Sequence, residues 1–121
     1  MVTQEKLELY RAGWQEYKKK KKQDLEKRFQ EARQRAHLAA DHLKKHYNCN
    51  VYLFGSLLSS DKFLEHSDID MAISGLDERV NFWRLYSEVM DILAPFDFDL
   101  IELENIDVEA REEILKEAIE L

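Results

Sequence analysis

The chain has 121 residues, enough for one domain with its own core and too few for several. It is 45% apolar and 36% charged, with three Gly, one Pro and one Cys, which excludes an intrachain disulfide framework and disfavours a disordered or turn-rich all-β chain. The formal charge of -7 is uneven: residues 1–60 carry 13 Lys and Arg against 7 Asp and Glu, residues 61–121 only 5 against 18. An acidic half of this kind accepts phosphate only with cations between.

Residues Thr3 to Tyr47 read as helix, with no Pro and only Gly13 inside. The second part carries a stripe of Leu25, Phe29, Ala32, Ala36, Ala39 and Leu43 at spacings of four and three. The first part offers Leu7, Tyr10, Trp14 and Tyr17. Between them Lys18 to Lys22 interrupts the stripe. A single helix of this length would span about 65 Å, so a bend or break near residues 20–24 is expected, or a first part that packs on another chain. Residues 1–47 thus form a helical extension and 48–121 a core.

Asn48, Cys49 and Asn50 form a turn. Val51 to Phe54 is a short apolar strand, and residues 56–66 connect it to a second strand, Ser67 to Ile73. One or two helical turns are expected around Leu57 and Leu58. Asp77 is the expected N-cap of a helix reaching Leu93, with Val80, Trp83, Tyr86, Met90 and Leu93 on its apolar face and Phe82, Leu85 and Val89 widening it. Pro95 stops it. Phe96 to Leu103 is a third strand. Asn105 or Asp107 caps a last helix that turns Ala110, Ile114, Ala118 and Leu121 to the core. The pattern predicts an α/β fold with a small sheet covered by helices.

Asp68 and Asp70 stand two apart in a strand and share a face. Close carboxylates repel, and a divalent cation relieves the repulsion through hard oxygen ligands. Asp97 and Asp99 repeat the arrangement in the third strand. If that strand pairs beside the second, three carboxylates gather and can bridge two metal ions. Gly55 and Ser56 directly follow the first strand, where glycine allows a tight turn and serine offers a hydroxyl beside free N–H groups.

The segments FGSLLSSDKFLEHSDIDMAI and FDFDLIEL together resemble the nucleotidyltransferase superfamily of DNA polymerase beta, kanamycin nucleotidyltransferase and the small single-domain MNT proteins. The resemblance implies a nucleotidyltransferase fold with a small mixed sheet. It implies that Gly55 and Ser56 hold a triphosphate and that Asp68, Asp70 and Asp99 bind two Mg2+ ions, with Asp97 the alternative register. It also implies transfer of AMP from ATP to a hydroxyl, with Asp99 helping to activate it. Small family members commonly carry Arg and Gly where this chain has Leu57, Leu58, Ser59 and Ser60. Single-domain MNT proteins resemble the antitoxin half of HEPN–MNT toxin–antitoxin pairs, so the resemblance implies a HEPN-type toxin as partner and acceptor. The alternative is a non-catalytic antitoxin or binding protein of the same fold that neutralises its partner by covering it.

Other residues read more plainly. The five lysines are expected to be a solvated face, and nucleic acid is not an expected partner. His42 and His46 share a helix face, with solvated histidines favoured over zinc ligands. Cys49 has no base beside it and is not an expected nucleophile. Homo-oligomerisation stays open. No apolar run nears the roughly 20 residues of a membrane span, and MVTQEKLELY lacks a signal-type apolar stretch, so the expected location is cytoplasmic.

Overall fold

The computed structural model describes residues 3–121. The first helix, α1, runs unbroken from Gln4 to Tyr47 over 44 residues. The helix does not break near residues 20–24. Lysine is a strong helix former, so a run of five continues a helix even where no face is packed. Thr3 caps its start, with Oγ1 accepting from the Lys6 N–H at 3.3 Å. Asn48 ends it in the left-handed region at φ 52.

Burial along α1 begins at Phe29. From there Phe29, Ala32, Ala36, Ala39, Ala40 and Leu43 are buried, which is the stripe the spacing predicts with Ala40 added and without its first member, the half-buried Leu25. The four alanines let α1 lie close on the sheet and on the next helix. From Thr3 to Asp24 every residue is exposed.

The sheet has four strands in the order β3-β2-β1-β4. Strand β1 (Asn50–Phe54) pairs antiparallel with β2 (Ile69–Ser74), and β2 pairs parallel with β3 (Phe98–Glu102). A parallel pair needs a crossover, which helix α2 (Phe82–Leu93) supplies. The last strand, β4 (Ile119–Glu120), pairs antiparallel with β1 and was not expected from the sequence. Between β3 and β4 lies α3 (Val108–Glu117), capped by Asp107, whose Oδ1 accepts from the Ala110 N–H at 2.7 Å. No α3 residue is fully buried; Ala110, Ile114, Ala118 and Leu121 are half-buried.

Helix α2 starts later than expected. Asn81, not Asp77, is its N-cap, accepting from the N–H groups of Trp83 and Arg84 at 3.1 and 3.2 Å. Asp77 instead closes a turn, accepting from the Arg79 backbone and guanidinium. The buried face is Leu85, Val89 and Leu93. Trp83 and Met90, expected in the core, are 75% and 48% exposed.

A polar cluster ties the end of α1 to the middle of α2. His42 Nε2 lies 2.8 Å from Glu88 Oε2, and Tyr47 Oη donates to the same oxygen at 2.7 Å. The His42 and Tyr47 hydrogen bonds hold the Glu88 carboxyl below its usual range. His42 is thereby engaged in a structural contact. Cys49 is buried, and burial pushes its thiol pKa up.

Candidate functional site

Strand β1 ends at Phe54 and turns at once into a short 3-10 turn, Gly55–Leu58. Gly55 has φ 75, a left-handed conformation that disfavours side chains. Antiparallel pairing sets Phe54 opposite Asp70 and thus brings Gly55 over the start of β2. A Cβ on Gly55 would overlap Asp70 Oδ2 and lie 3.1 Å from its Cγ. The glycine therefore makes room for a carboxylate.

Parallel pairing sets Asp70 directly opposite Asp99. The third strand does lie beside the second, and the register selects Asp99 over Asp97 as the partner of Asp70. Asp97 falls outside β3, and its carbonyl accepts from the Ile69 N–H at 2.9 Å. Asp70 is half-buried and Asp99 exposed. Burial, the charges of Asp99 and Asp68, and a hydrogen bond with Asp99 push the Asp70 carboxyl up to about 6.

Asp68 stands outside the strand where the alternation placed it, because β2 begins at Ile69. It is exposed, at the end of a connector without ladder hydrogen bonds, and repulsion from Asp70 favours this position in water. The structure thus brings Asp70 and Asp99 into contact and keeps Asp68 near enough to act on Asp70 through its charge. Among the described residues no three His, Cys, Asp or Glu side chains converge closely enough to hold a metal ion. The donor set of Asp68, Asp70 and Asp99 suits magnesium in kind, being all carboxylate oxygen. In position, Asp70 and Asp99 face each other across the β2–β3 pair, while Asp68 lies outside the ladder.

Ser56 is half-buried in the 3-10 turn, beside Gly55. After it come Leu57, fully buried in the core, and the half-buried Leu58 and Ser59, none of them cationic. The nearest cations come from α1. Arg33 Nη2 donates to Leu58 O at 3.3 Å, and Arg28 donates to Leu64 O and Ser67 O at 3.3 and 3.2 Å. Sequence reading passed over both arginines, since nothing in a helix marks which of its polar residues reaches a distant loop. Beside this loop a cavity of about 420 Å³ is lined by Tyr17, Lys21, Leu25, Arg28 and Glu65. It lies off the carboxylates and is bridged by the Lys21–Glu65 ion pair at 3.1 Å.

The sheet order, the Gly55 turn and the Asp70–Asp99 register define a nucleotidyltransferase-type domain. The chain belongs to the polymerase beta nucleotidyltransferase family, whose model matches residues 39–121. That match begins inside α1, at the alanines that pack on the sheet. A solved structure of a mutant of the toxin–antitoxin MntA–HpeT is 28% identical, with a TM-score of 0.45 over 60% of this chain. The match spans 57% of that chain. No curated protein matches significantly. Among the described residues no helix is long and apolar enough to cross a membrane.

Proposed function

We propose that this chain is a nucleotidyltransferase-fold binding protein that neutralises a partner protein by covering it, with the first half of α1 as a docking surface. One observation carries this reading. Residues 3–24 of α1 bury nothing, yet they present Leu9, Tyr10, Trp14 and Tyr17 at 72%, 70%, 57% and 56% exposure. Trp14 and Tyr17 stack with ring centroids 5.6 Å apart, forming a flat apolar patch one helical turn long. This part of the helix has no packing of its own within the chain, and exposed aromatic patches are typical anchors for another protein. A toxin of HEPN type is the partner that the family resemblance suggests.

A second reading is AMP transfer from ATP to a hydroxyl on that partner, in which the hydroxyl oxygen bonds the α-phosphorus and pyrophosphate leaves. It is favoured by the Asp70–Asp99 register and by the glycine that admits Asp70. In this reading Gly55 and Ser56 receive the phosphates, and Asp68, Asp70 and Asp99 would hold magnesium. Magnesium, when bound, supplies charge neutralisation at the phosphate oxygens. The carboxylates orient the acceptor, and Asp99, exposed to solvent, is the group placed to take its proton.

Incubation with labelled ATP, magnesium and the product of the adjacent gene separates the two readings. A stable complex without label on the partner, equally stable with Asp70→Asn, is expected of a covering protein. Label transfer that is lost in Asp70→Asn establishes the enzyme instead. Absence of any complex overturns the docking assignment.

A further inference from the structure

We infer that Arg28 and Arg33 of α1 are positioning residues that fix the connector between Gly55 and Asp68, and so set the spacing of the phosphate-facing turn and the first carboxylate. This presupposes the nucleotide reading of that site.

The connector, residues 55–68, lies between two paired strands but belongs to neither. Its internal backbone bonds are local: Lys62 and Phe63 N–H to Ser59 O at 3.1 and 3.2 Å, and Ser67 N–H to Leu64 O at 3.1 Å. Such turns set local shape and leave the segment free to shift as a whole. Its tertiary restraints are of two kinds. Leu57 and Phe63 are fully buried and anchor it by packing. The directional restraints come from α1: Arg33 reaches Leu58 O, two residues past Ser56, and Arg28 reaches Leu64 O and Ser67 O, the latter next to Asp68, while the exposed Lys21–Glu65 ion pair adds a weaker, solvent-screened tie. The two arginines therefore hold the connector near each of its ends.

Arg28 is built into this place. Its guanidinium carbon lies 5.2 Å from the Phe63 ring centroid and 4.8 Å from that of Phe96. Flanked by two aromatic faces, the planar fork loses little freedom when it bonds two carbonyls. Arg33 lies 5.4 Å from the Phe29 ring centroid, and its Nε is buried with no hydrogen-bond partner. An orphaned buried donor costs free energy, so the contact is kept against a local penalty. Residues 55–60, Gly-Ser-Leu-Leu-Ser-Ser, hold no cation of their own. The positive charge nearest the turn is supplied by the helix.

The chemistry of the two contacts predicts different rescue. Arg33 makes one bond to the connector, which a lysine ammonium can replace. Arg28 bonds two carbonyls three residues apart, which a single ammonium cannot span in the same way. The test uses the full chain with Arg28→Met, Arg28→Lys, Arg33→Met and Arg33→Lys, and reads amide exchange, magnesium–ATP affinity and melting temperature. In Arg28→Met, exchange at the Lys62, Phe63 and Ser67 amides is expected to quicken about tenfold, while amides of α2 and β1 keep their rates. Magnesium–ATP affinity falls by a similar factor. Arg33→Lys regains wild-type affinity and Arg28→Lys does not. Unchanged connector exchange in both methionine variants overturns the inference, as does quickened exchange with unaltered affinity. A wild-type chain that binds no magnesium–ATP overturns the nucleotide reading first, and the positioning role with it.

Discussion

Asp70 is the residue on which the site turns. It is crowded by Gly55 of the turn after β1 and by Asp99 of β3, and burial together with the neighbouring carboxylates pushes its carboxyl up to about 6. A carboxyl whose folded value lies above its ordinary value favours the protonated form, so its ionisation opposes folding. Stability from this group is full below about pH 4 and is lost as pH rises through about 6. Because Asp70 is part-exposed, we expect a loss of only about 1 kcal/mol. Asp70→Asn should therefore melt higher than wild type at pH 8 and alike at pH 4, as read by thermal unfolding. If the two carboxylates also hold magnesium, the ion should raise the wild-type melting temperature at pH 8, less at pH 5, and not at all in Asp70→Asn. Gly55→Ala tests the same crowding from the other side. Left-handed φ and the overlap with Asp70 Oδ2 act together, and we expect about 2–3 kcal/mol of destabilisation by denaturant titration.

At the level of elements, α1 is two objects in one helix. Its second half is a core element, where four small residues set how closely it lies on the sheet. Ala36, wholly buried, leaves no room for growth, and Ala36→Leu should cost about 1–3 kcal/mol in chemical unfolding. Trp14→Ala and Tyr17→Ala, by contrast, should leave the monomer's stability within about 0.5 kcal/mol. The sequence made the core half legible, since a stripe at spacings of three and four means one buried face. It misled about the lysine run, because a break in the apolar stripe marks the end of packing and not the end of a helix. For α2 the error lay in the cap, since both Asp77 and Asn81 suit that role, and in the width of the apolar face: Leu85, Val89 and Leu93 are its buried centre, and Trp83 and Met90 lie at its exposed margins. Strand β4, two residues long, carries too short a pattern to be seen. In the candidate site, the Gly55 turn was legible because a glycine after a strand marks a turn; alternation put Asp97 and Asp99 on one face, and only the family resemblance chose Asp99, which the register sets opposite Asp70. The position of Asp68 was not legible, since whether a ladder extends one more residue depends on its partner strand.

Across the whole molecule the charge asymmetry acquires a shape. Residues 18–28 of the arm hold seven Lys and Arg against two Asp and Glu, while the sheet and its later helices carry the acidic residues. Of the five consecutive lysines, Lys21 is committed to Glu65 within the chain. Lys18 lies 5.3 Å over the Trp14 ring, so the start of the run borders the aromatic patch. A docking surface built this way separates two tasks. In the proposed docking, the lysines would attract an acidic partner face from a distance, and the aromatics would exclude water once contact is made. The two should then fail differently. Replacing Lys18, Lys19, Lys20 and Lys22 with Gln should slow association and flatten its salt dependence, with dissociation little changed. Trp14→Ala should leave association nearly intact and speed dissociation about tenfold or more. In the wild type, raising salt from about 0.05 to about 0.5 M should weaken the complex chiefly through the association rate. Surface plasmon resonance on the product of the adjacent gene reads both rates. Equal association by the four-Gln variant at low salt would return the lysine run to the role of a solvated helix face. Unaltered dissociation in Trp14→Ala would place the docking surface elsewhere on the fold.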